Sequence, residues 1–130
     1  MGIVDAHGAP VAIHMECASP AEVKLVEATI EQRFMTRLPR RLIGDKAYDS
    51  NPLDAKLAAR GIRMISPNRD GTRRTQDGRE LRRYRRRWKV ERCFAWLGNQ
   101  RRLIVRYEYH AANFLAFLHL ACFITLYKML

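Results

Sequence analysis

The stretch from Ala111 to Leu130 constrains this chain most. It holds one charged residue, Lys128, in its whole length. As a helix it is apolar almost all round, and such a helix must be covered by protein or by lipid. It is long enough to cross a bilayer, and the arginine-rich sequence before it would serve as a positive inside flank. Asn113, His119 and Lys128 interrupt the run, however, and its alanines suit close packing against other helices. A buried helix of a globular core accounts for it better than a tail-anchored basic membrane protein. No membrane is expected among the partners.

The remaining sequence supplies the rest of such a core. The chain has 130 residues, 48% of them hydrophobic, which fits one domain spanning residues 1–130. Gly2 to Asp5 and Pro10 to His14 read as two strands around a turn at Ala6-His7-Gly8-Ala9. Ser19-Pro20-Ala21-Glu22 reads as a helix start in which Ser19 caps and Glu22 completes a capping box, and the helix runs to about Met35. Arg41 to Asp45 reads as a strand, Pro52 to Ala59 as a helix closed by Gly61, and Ile62 to Ser66 as a strand. Asn68 to Gly78 is a polar loop. Glu80 to Leu97 is a long helix, followed by the apolar one. The order β-β-α-β-α-β-α-α predicts an α/β fold, a mixed sheet flanked by helices.

Cys17, Cys93 and Cys122 are widely spaced and odd in number, so neither a zinc pair nor a disulfide framework is implied. The N-terminus lacks the pattern of a signal peptide, and a cytoplasmic protein is the simplest expectation.

Charge points to the partner. The net charge is +11 and the pI about 10.3. The cations cluster between Arg69 and Arg106, where only Asp70, Asp77, Glu80 and Glu91 oppose them. Such a run matches a phosphate backbone, with arginine supplying planar bidentate donors. The residues expected to meet DNA are Arg73, Arg74, Tyr84, Arg85, Arg86, Arg87, Lys89, Arg101 and Arg102. A solvated arginine face is the plainer reading, and the one-sidedness of the run weighs against it. Tyr84, Trp88 and Trp96 are interleaved. They could stack on unpaired bases, but Trp88 is read as a core residue.

Two carboxylates stand out. Asp45 falls where a strand ends, the place at which functional groups gather in α/β sheets. A turn-forming aspartate explains it equally well. Glu91 shares a helical stripe with Leu81, Tyr84, Trp88 and Ala95. If that stripe faces the core, the carboxylate is costly unless it is paired or bound to metal. An i,i+4 ion pair with Arg87 would satisfy it. If Asp45 and Glu91 converge, a divalent cation would explain both.

Taken together these residues resemble a known family. Leu42-Ile43-Gly44-Asp45-Lys46-Ala47-Tyr48-Asp49-Ser50 resembles the second-aspartate motif of bacterial DDE transposases of the IS-four/IS-five type. Tyr84-Arg85-Arg86-Arg87-Trp88-Lys89-Val90-Glu91-Arg92 resembles their glutamate motif, with Tyr84, Arg87 and Glu91 in its three fixed places. Phe94-Ala95-Trp96-Leu97-Gly98 and Arg101-Arg102-Leu103 continue the likeness, which covers nearly the whole chain.

The resemblance implies a ribonuclease-H-like fold that binds transposon-end DNA. It implies cutting and joining of phosphodiesters with Mg²⁺ or Mn²⁺ held by Asp, Asp and Glu. Asp45 would be the second acidic ligand and Glu91 the third, with Tyr84 and Arg87 supporting Glu91 and the DNA. There are two departures. The family often has Lys seven residues after the glutamate, where this chain has Gly98; Arg101 or Arg102 would have to substitute. The first aspartate lies on a strand upstream of sequence like Ile3-Val4-Asp5-Ala6-His7-Gly8, and Asp5 resembles the later aspartate that ends the second strand. The expectation is a C-terminal fragment, truncated or split, that lacks the first strand and is inactive alone. That strand is central to the family's sheet, so its absence would expose strand edges. Partners would be DNA and either a second copy or an N-terminal transposase fragment. The alternative is a non-catalytic DNA-binding remnant or inhibitor.

Overall fold

Asp5 and Gly8 set the turn of an N-terminal hairpin. Asp5 Oδ1 accepts from the amides of His7 (2.7 Å) and Ala9 (2.9 Å), an Asx-type turn. Gly8 takes φ +91°, the left-handed region that glycine enters without strain. The turn joins β1 (Gly2–Val4) to β2 (Pro10–Ile13), which pair antiparallel with a register shift between Ile3 and Val4. This computed structural model describes residues 1–17, 19–69, 82 and 84–130.

Helix α1 spans Glu22–Glu31. It starts later than the capping-box reading expects. Ala21 occupies the cap and has no polar side chain to bond the free amides, and the Glu22 carboxylate is engaged elsewhere, accepting from the Tyr48 hydroxyl at 2.9 Å. It also ends before Met35. The Phe34 amide donates to the Val11 carbonyl (2.8 Å), and Arg33 bridges Ala12. The outer edge of β2 thus captures the chain and draws it out of the helix.

Strand β3 (Arg41–Ile43) pairs in parallel with β4 (Arg63–Ile65), in register Leu42 to Met64. Between them lie a 3₁₀ turn at Lys46–Tyr48 and helix α2, Asn51–Ala59. Pro52 sits in the first turn of α2, where its missing N–H costs nothing. The helix closes as a Schellman motif. Gly61, at φ +72°, donates to the Ala58 carbonyl and Ile62 to the Leu57 carbonyl, both at 2.9 Å. The paired apolar contact of that motif is Ile62 with Leu57, both inside the core.

Three further helices follow among the described residues: α3 (Trp88–Gly98), a short α4 (Arg101–Ile104) that the sequence did not announce, and α5 (Ala111–Tyr127). The expected long helix from Glu80 is broken by a turn at Arg85–Arg87; Glu80, Leu81 and Arg83 lie outside the described residues. Helix α5 is 17 residues long. No helix among the described residues is long and apolar enough to cross a membrane. Nor is α5 buried all round. It turns Ala121, Cys122 and Thr125 inward and leaves Leu120, Phe123 and Tyr127 exposed.

The architecture is mixed α/β. Among the described residues the strands form two separate two-stranded sheets, β1-β2 and β3-β4, rather than the single sheet the element order implies. Two apolar clusters result. One gathers Val26, Ile30, Leu42, Leu53, Leu57 and Ile62, with Met1 and Ile3 against it. The other gathers Ile13, Cys93, Leu97, Ala121 and Cys122, with Val4, Leu103 and Leu118. Strand alternation sends Ile3 to the first and Val4 to the second, so the hairpin is common to both. All three cysteines are free thiols. Burial raises Cys93, and burial followed by Cys93 itself pushes Cys122 up to about 11, so both are unreactive packing groups.

Leu57 is 0% exposed and lies at the centre of the first cluster. Leu57→Ala is expected to cost about 2–5 kcal/mol. Urea unfolding should show a lower midpoint at unchanged slope, as a pure stability loss does.

Candidate active site

Strand β3 ends at Ile43, and Gly44 and Asp45 follow at its carboxyl end. A side chain at Gly44 would sit 2.6 Å from Tyr48 Cδ2 and 2.5 Å from Met64 Cε, so glycine lets the Tyr48 ring close over the backbone. Asp45 caps the 3₁₀ turn, its Oδ1 accepting from the Ala47 amide at 2.9 Å. That satisfies the turn-forming reading of Asp45 and leaves Oδ2 for a second partner. Tyr48 steadies the far side of the turn. Burial, and then the Glu22 carboxylate it bonds, hold its hydroxyl above the usual range, so it stays a donor.

Arg69 fastens the same turn. Its Nε donates to the Lys46 carbonyl (3.1 Å) and its Nη2 to the Ala47 carbonyl (2.8 Å), while its amide donates to Asp49 Oδ2 (2.8 Å). Counted in the sequence as one more cation of the basic run, it is a structural fastener here. No signal in the sequence separates it from its neighbours.

Glu91 lies in the first turn of α3. The expectation that it sits on a core-facing stripe is not met. Its side chain is 62% exposed, and Trp88, read as core, is 49% exposed; Leu81 of that stripe lies outside the described residues. The helix buries Cys93 and Leu97 instead. They are one turn apart, and small residues of α5 pack on them. The ion pair with Arg87 does form, Nη2 to Oε1 at 3.1 Å. The same guanidinium reaches Asp45 Oδ2 at 3.8 Å and donates to the Tyr84 hydroxyl at 3.1 Å. The two carboxylates, 46 positions apart in sequence, therefore flank one cation. Among the described residues no three of His, Cys, Asp and Glu gather as a metal cluster.

The expected DNA-facing residues divide. Arg85 and Arg86 are exposed. Lys89 Nζ donates to the Ala6 carbonyl and lies over the Trp88 ring. Arg92, which sequence reasoning passed over, donates to the His7 carbonyl (3.1 Å) and stacks between Trp88 and Trp96, 4.7 Å from each ring centre. Arg101 is exposed on α4. Arg102 pairs with Glu108 (3.4 Å) and lies over Phe117. Arg73 and Arg74 lie outside the described residues. At the position where the resembled family often has lysine, Gly98 faces open space.

A family profile described as the transposase DDE domain matches residues 1–126, nearly the whole chain. The chain belongs to the DDE transposase family. A protein of Burkholderia cepacia titled "Putative transposase for insertion sequence element IS402" is 35% identical, over 92% of this chain and 58% of the relative. This DDE transposase chain thus spans little more than half the length of that relative. No solved structure gives a significant match.

Gly8 is where the hairpin meets α3 of this transposase chain. A Cβ there would lie 3.0 Å from Arg92 Nη2, at a φ that L-residues resist. Gly8→Ala should destabilise by about 1–2 kcal/mol. Gly98→Ala, at a helical position with nothing within 4 Å, should be neutral or raise stability by a few tenths up to about 1 kcal/mol. Thermal melts of the two variants give the comparison.

Proposed function

We propose that this chain is the second-aspartate and glutamate portion of an insertion-sequence transposase with a ribonuclease-H-like fold. It acts on transposon-end DNA, and with the remaining catalytic aspartate it cuts and joins phosphodiesters using Mg²⁺ or Mn²⁺. The observation that carries this reading is the meeting of Asp45 and Glu91 on one guanidinium. Residues from two separate motifs point into a space that already attracts a cation, and hard carboxylate oxygens suit these ions, which keep several waters. Asp45 and Glu91 would hold the metal. When bound, it supplies activation of a water or 3′-hydroxyl and stabilises the leaving oxygen.

The chain's own residues then position the DNA. Arg85 and Arg86, exposed in the turn before α3, neutralise phosphates. Tyr84 orients Arg87 through its hydroxyl. The first aspartate of the set would come from a segment outside these 130 residues. Asp5 is a poor candidate for that ligand, since it resembles the later aspartate that ends the second strand, and here its Oδ1 shapes the hairpin turn. Each sheet has only two strands among the described residues. The proposed partner segment would add the first strand between β1 and β3, pairing with edges that are unpaired among the described residues.

Two outcomes test this. DNA affinity should fall steeply as salt rises, and Arg85→Ala with Arg86→Ala should weaken binding to all sequences alike, lowering the slope of log affinity against log salt by about 0.9 for each lost phosphate contact. Binding that is flat with salt, or unaltered by both changes, would reduce the patch to a solvated face.

The 130-residue chain alone should neither cleave nor join DNA at a useful rate, because alignment of the reacting oxygens carries many powers of ten in rate. Adding an N-terminal transposase fragment should restore cleavage, and Glu91→Gln should abolish it. Binding without restoration by any such fragment would instead support the non-catalytic remnant.

A further inference from the structure

Arg87 stands where two carboxylates want a cation. Its Nη2 is 3.1 Å from Glu91 Oε1 and its Nη1 is 3.8 Å from Asp45 Oδ2, with Tyr84 accepting from Nη1 on the other side. It occupies a turn at the start of α3 rather than the helix interior. Its side chain is 41% exposed, and those of Asp45 and Glu91 are 40% and 62% exposed, so the group is open to solvent and to ligands. A guanidinium is always charged, and its planar fork fits phosphate as well as carboxylate. Two competitions follow. A divalent ion and Arg87 compete for the same oxygens, and a DNA phosphate and the two carboxylates compete for the same fork.

We infer that Arg87 is an internal placeholder cation, held by Asp45 and Glu91 in the free chain and drawn off by a DNA phosphate, which releases both carboxylates to the divalent ion. This rests on the reading of Asp45 and Glu91 as metal ligands. Arg87 then makes DNA and metal binding mutually reinforcing. By linkage, the factor by which DNA tightens the metal equals the factor by which the metal tightens DNA. Ion pairs this exposed are weak, so the factor is modest, roughly two- to five-fold.

The direction of the effect separates a placeholder from a mere support. If Arg87 only props up Glu91, removing it leaves metal affinity equal or lower. If it is a placeholder, removing it raises the affinity of the DNA-free chain and abolishes the further gain on adding DNA. Loss of any nearby positive charge would also favour a cation, so a matched control is needed. Arg86→Met makes the same charge change one residue away, and Arg86 pairs with neither carboxylate among the described residues. Arg87→Lys keeps the charge as a point that cannot fork between two carboxylates.

The test is a Mn²⁺ titration of the 130-residue chain, read as the free-ion signal by electron paramagnetic resonance, with and without a short duplex and with a duplex-only blank. Circular dichroism checks that each variant is folded. Arg87→Met should bind Mn²⁺ about two- to five-fold tighter than the unaltered chain without DNA, and show no further tightening with it. Arg87→Lys should fall between, and in the DNA-free titration Arg86→Met should change affinity less than Arg87→Met. An affinity unchanged or lowered by Arg87→Met, or raised equally by Arg86→Met, overturns the placeholder while the metal-ligand reading stands. If no Mn²⁺ binding in any variant is abolished by Asp45→Asn or Glu91→Gln, with or without DNA, the metal-ligand reading falls and the placeholder with it.

Discussion

The fold depends on two cations of α3 that grip a turn more than eighty positions earlier. Lys89 donates to the carbonyl of Ala6 and Arg92 to that of His7. Charge-assisted bonds to carbonyls are among the stronger ones a chain can make, and this pair fixes more than distance. Two contacts from adjacent turns, together with the burial of Cys93 and Leu97, set the rotation of α3 about its axis. With that rotation fixed, Cys93 and Leu97 face α5 and Glu91 faces the Asp45 turn. Phe94 lies against Gly2, where a Cβ would come within 3.0 Å of its ring. The absence of a side chain at Gly2 and Gly8 is what lets the helix come so near the hairpin.

The hairpin is itself a wall between two small cores. Ile3 packs into one and Val4 and Ile13 into the other. Cooperativity between the halves of the chain therefore runs through a few strand residues and the contacts of α3. A change in the hairpin is felt on both sides. A change in α2 or β4 is felt first in the Val26–Leu57 cluster.

Much of this was legible in the sequence. The strands, α2 with its glycine stop, and the apolar C-terminal helix fall close to where period and turn chemistry put them. Asp45 at a strand end and the Arg87–Glu91 pair follow from spacing alone. The errors have a common source in long-range competition. Glu22 looked like half of a capping box, but Tyr48 claims its carboxylate. Helix α1 stops short because the edge of β2 captures Phe34. The stripe through Trp88 and Glu91 faces outward, because Cys93 and Leu97 meet small residues of α5 and no aromatic stripe could pack as closely there. Lys89, Arg92 and Arg69 were indistinguishable from the other cations of a basic run, since nothing local marks a cation that bonds a distant carbonyl.

Arg92 has one more consequence. The chain contains two tryptophans, and both rings lie against its guanidinium at the same distance. All of the indole emission of this protein arises from one locus, the joint between α3 and the hairpin. An indole ring face to face with a cation is electronically perturbed, and one freed from it is not. Intrinsic fluorescence is therefore a reporter already built into the chain. It reads the seating of the helix that carries Glu91, without any label.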